Sequence, residues 1–428
     1  MKKILVVSYY WPPSGGSGVQ RWLYFCHYLQ AQGFDVTVLT VDPASAAFPS
    51  LDYSLLEKTK GITVVHTKSR LNPIKLYASF KKGKLKNQIP AGNFGSKKKS
   101  ALDHIAGFIR ANFFIPDARV TWNKLALKKA IALVESHKFD QIITTGPPHS
   151  THLIGLALKE KFHINWLADF RDPWGELYYN NLFKRFDFAK KKDAALEKLV
   201  LEKADKILTV GPSLKEILQH KLVKNKSKVH VIYNGFDADM FAKCTDDRSS
   251  LFTIAHIGNW SMQQAHQEII AALQELCGNR KIKIRFLLAG KVDPFIVDQL
   301  SAIENVTVDF KGLLSHQNAI NEMYNADILL NCHPILPNAE YMISGKMMEY
   351  LASGNYNITI GNKNSDGAKV LASFPSAKMI GYNATDELIQ LISDRLSSNR
   401  SHFDLTELLT KYTRKAAAQE LIQLINQG

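Results

Sequence analysis

The chain has few of the features that mark exported, disulfide-bonded or zinc-binding proteins. Its 428 residues include only four cysteines, and no two of them form a Cys-x-x-Cys pair: Cys26, Cys244, Cys277 and Cys332. This spacing excludes a zinc finger, so we interpret the cysteines as reduced core residues. The chain also lacks a run of about 18 uncharged apolar residues, which predicts that no helix spans a bilayer. The start of the chain, Met1–Lys3 followed by ILVVSYY, resembles a signal peptide, but its apolar run is short and ends at Pro12, so we expect no export. We therefore expect a cytoplasmic protein.

Acidic residues are scarce, since 39 Asp and Glu face 54 Lys and Arg and give a net charge of +15. A positive potential attracts nucleic acid, anionic lipid or phosphorylated ligands. Ten Lys or Arg and no acidic residue lie between Lys68 and Leu102, followed by the aromatic segment IAGFIRANFF. Two interpretations stay open, a solvated basic loop or a surface for anionic lipid at the inner face of the cell membrane. The second interpretation assigns that surface to Lys97, Lys98, Lys99 and Arg110. No nucleic-acid motif accompanies the charge, so we expect no nucleic-acid partner.

Short runs rich in Val and Ile alternate with segments of helical period along the whole chain. This alternation is typical of βαβ units around a parallel sheet. The strand pattern begins at ILVVSYY, is interrupted near Asn234–Asp237, and begins again at FTIAHIG. The sequence therefore predicts two α/β domains, 1–235 and 236–404, with a helical segment 405–428 that packs back on the first. Because ligands bind at the carboxyl ends of parallel strands, we expect the two domains to face a cleft.

A glycine-rich loop, WPPSGGSGVQRW, follows the first predicted strand. It places Gly15, Gly16 and Gly18 at the entry to a helix, where free N–H groups and the helix dipole favour an anion. A dinucleotide-binding loop is the rival interpretation, but its third glycine would fall at Arg21. A plain turn between strand and helix stays open as well.

Two segments later in the first half carry candidate catalytic groups. His149 follows Gly146-Pro147-Pro148 at a strand end, where an imidazole can exchange a hydrogen bond with a substrate hydroxyl. A packing or capping histidine is the alternative, and a metal site with His152 lacks a third ligand, so we expect no metal. In WLADFRDPW, Asp169 and Arg171 suit sugar hydroxyls or form an ion pair that braces the loop.

The most specific motif is ISGKMMEYLASG in the second half. Ser344 is the predicted N-cap of a helix, Gly345 keeps its entrance open, and Lys346 provides a point charge for a phosphate. Glu349 suits the hydroxyls of a ribose. Alternatively, Lys346 and Glu349 form an ion pair across one helical turn.

Taken together, the segments resemble the retaining glycosyltransferases of family four, in the bacterial branch that builds surface polysaccharides. The resemblance covers nearly the whole chain and depends on the order of seven segments: SYYWPPSGGSGVQR, PDARVTW, TTGPPHSTHLIGL, ADFRDPW, KADKILTV with VIYNGFD, HIGNW and SGKMMEYLASG. It implies the GT-B architecture, in which two Rossmann-like, doubly wound parallel-sheet domains face a cleft. It also implies a retaining, metal-independent hexosyltransferase that needs no cofactor and takes a nucleotide sugar as its substrate.

The resemblance assigns roles to single residues. It implies that Gly15 and Gly16 approach the donor phosphates, that His149 lies beside the transferred sugar, and that Glu349 binds the donor ribose. Gly258 in HIGNW belongs to the same implied donor site.

Two positions depart from the family pattern. Tyr341 stands where the family often has the first of two glutamates, so backbone groups near Met342 to Gly345 would contact the sugar. Gln264 stands in a loop where the family commonly has a basic residue against the donor diphosphate. The resemblance therefore implies that Lys346, Arg21 or Lys291 makes this contact here.

The expected function is transfer of a sugar, with retention, from a nucleotide-diphosphate sugar to a lipid-linked or polysaccharide acceptor in surface glycan biosynthesis. Its expected catalytic groups are His149, Asp169 and Arg171. Two alternatives stay open at this point, a non-hydrolysing epimerase of sugar nucleotides and a catalytically silent partner that binds them.

Overall fold

A computed structural model of the chain describes residues 1–46, 48–69, 101–176, 184–336, 339–398 and 400–427. The chain divides into two compact units. The first comprises the described residues up to Tyr233 together with those from Ala418 onward, and the second comprises Asn234–Ala417.

The first unit contains a parallel sheet of seven strands within the described residues. In chain order they are β1 Lys3–Val7, β2 Asp35–Val41, β3 Thr63–Thr67, β4 Gln141–Gly146, β5 Asn165–Phe170, β6 Lys206–Thr209 and β7 Val229–Val231. Their order in space is β3-β2-β1-β4-β5-β6-β7. The central strands are buried along almost their whole length, because helices cover both faces of a doubly wound sheet and an apolar run is then required.

Among the described residues, six helices accompany this sheet before the chain enters the second unit. They are α1 Ser17–Ala31, α2 Ala101–Phe113, α3 Val120–Ser136, α4 Ser150–Phe162, α5 Asp187–Lys203 and α6 Pro212–Lys221. Single 3-10 turns lie at Tyr53–Thr59 and Lys226–Lys228. The strand order reverses between β1 and β4, so the carboxyl ends of these two strands form the switch point at which α/β sheets bind ligands.

The second unit repeats this plan with six parallel strands among its described residues. They are β8 Phe252–Ile257, β9 Ile284–Ala289, β10 Val306–Phe310, β11 Ile328–Cys332, β12 Tyr356–Ile360 and β13 Ala377–Ile380. Their order in space is β10-β9-β8-β11-β12-β13, which puts a second switch point between β8 and β11. A buried cluster that includes Ile254, Phe286 and Leu330 fills one face of this sheet.

The helices of the second unit are α7 Ala238–Phe241, α8 Gln267–Leu273, α9 Pro294–Ser301, α10 His316–Tyr324, α11 Gly345–Ala352, α12 Asp366–Leu371, α13 Thr385–Ser397 and α14 Thr406–Leu409. A π-helical turn, Gln274–Asn279, continues α8, and a 3-10 turn, Thr410–Tyr412, follows α14. The last helix, α15 Arg414–Asn426, begins in the second unit and continues into the first.

The predicted fold class, two doubly wound parallel sheets of the α/β type, is confirmed by these strand orders. All four cysteines are free thiols, and Cys26, Cys277 and Cys332 are buried. Within the described ranges, no helix has the length and apolar character needed to cross a membrane.

Candidate active site

The glycine loop leads from the carboxyl end of β1 into α1. Gly16 has φ = 109°, a left-handed conformation that favours glycine, and it directly precedes the helix. At Gly18 an ideal Cβ atom would lie 1.5 Å from Nη1 of Arg171. Only glycine therefore lets this guanidinium reach the first turn of α1.

Arg171 is fixed by the loop that follows β4. Its Nε donates to the carbonyl of Gly146 at 3.0 Å and its Nη2 to that of Pro147 at 2.6 Å. Burial lowers the pKa of Arg171, while the nearby carboxylates of Asp169 and Asp172 raise it. A cation beside a helix N-terminus is electrostatically unfavourable, so this position favours an anionic group. The structure therefore brings the glycine loop and Arg171 together.

Asp169 lies near the carboxyl end of β5. Its carboxylate is fully buried and accepts hydrogen bonds from Arg21 Nη2 at 3.2 Å, Trp22 Nε1 at 2.6 Å and Thr145 Oγ1 at 2.9 Å. Arg21 also donates to the carbonyl of Ile232 at 3.0 Å. These bonds connect α1 with β4, β5 and the end of β7. In this position Asp169 braces the glycine loop, and its predicted catalytic role stays a prediction.

His149 lies directly before α4, between aromatic rings. Its imidazole stacks on Trp174 with ring centroids 5.0 Å apart and on Phe170 with centroids 5.7 Å apart. The side chain is buried, and neither ring nitrogen makes a hydrogen bond of ordinary geometry. Burial, and then the neighbouring His152, lowers the pKa of His149 well below its usual value. The pKa is low because the ring is desolvated. His149 is a neutral group, able to exchange a hydrogen bond without carrying charge.

Lys346 lies in the first turn of α11, next to the carboxyl end of β8. Its Nζ is 3.2 Å from Nε2 of His256, and an ideal Cβ on Gly258 would lie 2.9 Å from the same Nζ. Gly258 has φ = 130°, so glycine is required there for conformation as well as for space. Burial lowers the pKa of Lys346 to about 8. Among the described residues no carboxylate lies within 4.0 Å of Nζ, so the charge of Lys346 has no acidic partner.

Glu349, one turn further along α11, pairs with residues far away in sequence. His316 Nε2 lies 2.8 Å from its Oε1, and Arg414 Nη2 lies 3.6 Å from the same oxygen. Arg414 is tied to the start of the unit, since its Nε donates to the carbonyl of Gly235 at 3.1 Å. The alternative ion pair between Lys346 and Glu349 does not form in this structure.

Three further predicted donor residues belong to the loop that follows β8 and to the start of α11. Ser344 is the N-cap of α11 in an extended conformation, without a side-chain capping bond, and Gly345 follows it as an exposed first residue. Gln264 is used within its loop, where its Oε1 accepts from the N–H of Ser261 at 2.9 Å and its Nε2 donates to the carbonyl of Cys332 at 2.8 Å. Gln264 thus shapes the loop after β8.

The predicted lipid-facing cations divide into two groups. Lys97, Lys98 and Lys99 lie outside the described residues, whereas Arg110 is an exposed residue in the last turn of α2. Across the described part of the chain, no group of three or more His, Cys, Asp or Glu is arranged as a metal site.

The comparison with protein families connects these sites to an activity. The sequence model of Glycosyltransferase Family 4 matches residues 16–240, which is more than half of the chain. The chain belongs to this family. In this family 4 glycosyltransferase, Gly16, His149 and Asp169 lie within the matched region, while Gly15, Lys346 and Glu349 lie outside it. No match was found among curated proteins.

Solved structures share the fold at low sequence identity. A glycosyltransferase from Rickettsia africae ESF-5 has a TM-score of 0.58 at 14% identity, with 99% of this chain and 93% of that chain covered. HepE of Anabaena, solved in complex with UDP-glucose, has a TM-score of 0.57 at 14% identity, with 100% and 98% covered. A Listeria monocytogenes protein described as a UDP-N-acetylglucosamine 2-epimerase has a TM-score of 0.55 at 12% identity, with 100% and 96% covered. At these identities the likeness shows the shared fold alone.

Several residues of these sites escaped prediction from the sequence. They are Trp22, Thr145 and Trp174 in the first unit, and His256, His316 and Arg414 in the second. The only local signal was position, since Thr145, Trp174 and His256 all lie at or just after the carboxyl end of a predicted strand.

Proposed function

We propose that this family 4 glycosyltransferase transfers a hexosyl group, with retention, from a nucleotide-diphosphate sugar to a lipid-linked or polysaccharide acceptor. The reaction takes place in the cytoplasm, at the inner face of the membrane, and serves the synthesis of surface glycans. The donor is a substrate, and the proposed chemistry uses neither a cofactor nor a metal. One observation carries the proposal: the half-buried Lys346 has no acidic partner among the described residues and lies where a helix begins beside Gly258.

The second unit is proposed to hold the donor. A half-buried lysine with a lowered pKa destabilises the fold, and a bound diphosphate would supply the missing negative charge. The first turn of α11 adds N–H groups and the positive end of its dipole. Glu349, one turn further along the same helix, would accept hydrogen bonds from the two hydroxyls of the ribose.

The first unit is proposed to act on the sugar. His149 is neutral and has ring nitrogens without ordinary hydrogen bonds, so it can donate to or accept from a sugar hydroxyl. Arg171, beside the glycine loop, would stabilise negative charge. In the proposed reaction the acceptor attacks on the face from which the nucleotide diphosphate leaves. Charge on the leaving phosphate is stabilised by fixed dipoles and cations, so no covalent bond to the protein is needed.

A donor screen with the purified full chain tests the proposal. We expect one nucleotide-diphosphate sugar to bind in calorimetry, and its nucleotide to be released only when an oligosaccharide or lipid-linked acceptor is added. Recovery of an epimerised donor without acceptor would replace the proposal with the epimerase alternative. Binding without turnover across a broad set of acceptors would support the silent partner instead.

Replacing Glu349 by Ala should weaken donor binding by about ten- to a hundredfold, because a carboxylate that accepts two hydroxyl hydrogen bonds is lost. Calorimetric titration with the donor and with the matching free nucleotide measures this change. Glu322→Ala is the matched control, since that glutamate pairs with Lys311 on the same unit and should leave affinity unchanged. Equal affinity of Glu349→Ala and the parent would overturn the ribose assignment.

Replacing His149 by Phe should lower kcat by about a hundredfold while leaving thermal stability nearly unchanged, because the aromatic stack with Trp174 is kept and only the hydrogen-bonding nitrogens are lost. Because its pKa is well below the usual histidine value, the pH profile of kcat/KM of the parent should show no ionisation of His149 near neutrality. Steady-state assays across the pH range measure both. A histidine ionisation near neutrality that disappears in His149→Phe, but persists in the exposed control His220→Phe, would contradict this assignment.

A further inference from the structure

Exposed apolar side chains gather on one surface of the first unit. Ile105, Ile109 and Phe113 follow one another at four-residue spacing along α2 and so lie on one face of that helix. Phe186 and Phe188 lie at the start of α5. Between 43% and 63% of the area of each of these five residues is exposed. Large apolar side chains are normally exposed singly, so their clustering points to a binding surface.

The five residues form one continuous surface, the aromatic patch. The rings of Phe113 and Phe188 have centroids 6.4 Å apart, and those of Phe186 and Phe188 lie 5.6 Å apart. Phe108 supports the patch from α2, with its ring 5.2 Å from Phe186 in an edge-on arrangement.

Buried polar bonds hold the two elements of the aromatic patch together. Asn112 is fully buried; its Nδ2 donates to the carbonyl of Lys184 at 3.0 Å, and its Oδ1 accepts from the N–H of Phe186 at 2.6 Å. Arg185 donates to the carbonyl of Ala111 at 3.1 Å and pairs with Asp193 at 2.8 Å. The backbone beneath the exposed rings is therefore fixed, and the rings are presented on a braced scaffold.

Cations surround the aromatic patch. Arg110 lies one turn before Phe113 on α2, and Lys191 and Lys192 lie one turn after Phe188 on α5. Lys184 is exposed just before α5, and between 184 and 192 the only acidic residue is Asp187. An apolar centre with a positive rim matches a bilayer surface, where acyl chains lie beneath anionic headgroups.

We propose that the aromatic patch docks on a membrane surface rich in anionic lipid, with its apolar side chains inserted below the headgroups. The proposal rests on exposure and charge within the first unit and does not depend on the transfer reaction. A second copy of the chain is a poorer occupant, because a two-fold contact would bring two positive rims together.

A tryptophan placed in the aromatic patch tests the proposal. All six native tryptophans are buried and provide a constant background. Phe188→Trp is compared with Phe295→Trp, since Phe295 on α9 is exposed to a similar extent, 50% against 53%. Each full-length variant is mixed with vesicles of phosphatidylcholine alone, or with about a third of phosphatidylglycerol, some carrying bromine on the acyl chains.

We expect the emission of Phe188→Trp to shift to shorter wavelength and to be quenched by brominated lipid with anionic vesicles only. Phe295→Trp should show neither change. Phe188→Ser, combined with Phe113→Ser, should reduce cosedimentation with anionic vesicles by at least about tenfold, the effect of losing two buried aromatic side chains. Adding Lys191→Glu and Lys192→Glu should reduce cosedimentation further, and added salt should act in the same direction.

Two results would overturn the proposal. One is the absence of vesicle binding, or binding that leaves the tryptophan at position 188 unquenched. The other is a dimer in analytical ultracentrifugation that Phe188→Ser abolishes, which would assign the aromatic patch to a second copy of the chain. Loss of vesicle binding with unchanged turnover of a water-soluble acceptor would support the patch and leave the transfer reaction intact.

Discussion

Replacing Lys346 by Met is expected to weaken binding of a nucleotide sugar by about ten- to a hundredfold and, at the same time, to raise the melting temperature. The first effect follows from the loss of a charged contact to the diphosphate. The second follows because burial lowers the pKa of Lys346 to about 8, so the folded protein binds this proton less readily than the unfolded chain does. Calorimetry with the donor and a thermal scan of the same sample measure the two changes.

Both donor affinity and stability should depend on pH through the charge of Lys346. Below about pH 8 Lys346 is charged, and above it the lysine becomes neutral. Donor affinity of the parent should therefore fall as the pH rises through 8, whereas that of Lys346→Met should stay flat. Between the folded value and the ordinary lysine value near 10.5, the unfolded chain holds more protons, so this lysine adds stability as the pH rises.

Lys283→Met is the matched control for Lys346→Met. Lys283 is exposed just before β9, at the opposite end of the strands from Gly258, so its loss should change neither affinity nor its pH dependence. Unchanged affinity of Lys346→Met would remove the observation that carries the donor assignment. Lower stability of that variant would contradict the view that the lysine is kept for binding rather than for folding.

Replacing Asp169 by Ala is expected to lower the free energy of unfolding by about 3 to 5 kcal/mol. The side chains of Asp169 and Arg21 are both almost completely buried, so removing the carboxylate leaves a buried guanidinium without its counter-charge. Two further hydrogen bonds, from Trp22 and Thr145, are lost with it. Urea unfolding followed by tryptophan fluorescence measures the loss, since five of the six tryptophans lie in the first unit.

Glu135→Ala provides the contrast for this measurement. Glu135 pairs with Lys161 at 2.9 Å with both side chains about half exposed, and such pairs contribute less than about 1 kcal/mol. A similarly small loss for Asp169→Ala would contradict the buried ion pair. Asp169→Asn distinguishes a structural role from a catalytic one. If this variant has the stability of the parent but no turnover, Asp169 takes part in the reaction itself.

Most strands could be predicted because a strand buried on both faces needs an unbroken apolar run, and β2 coincides with the run DVTVLTV. Two strands were missed. β7 has three residues and follows the charged turn Lys226–Lys228, and β13 contains an exposed lysine among its four residues. Edge strands as short as these leave no periodic pattern to read.

Only those features of the candidate site that depend on a few neighbouring residues could be predicted from the sequence. Glycines at a strand end and a lysine in the first turn of a helix are properties of a few consecutive residues. The partners of a side chain cannot be predicted in this way, since Glu349 pairs with His316 and Arg414 rather than with Lys346 one turn away. The lowered pKa of His149 could not be predicted either, because it depends on burial among rings contributed by α4, β5 and the loop that follows β5.

The last helix has a consequence for the order of events during synthesis. Residues from Ala418 onward belong to the first unit, where Leu421 is fully buried and Lys2 donates to the carbonyl of Ile425 at 3.2 Å. Domains generally fold as units as they leave the ribosome, the N-terminal one first. Here the second unit has emerged in full before the first receives its final helix. The growing chain must therefore keep the apolar site of Leu421 uncovered while some 180 residues are added.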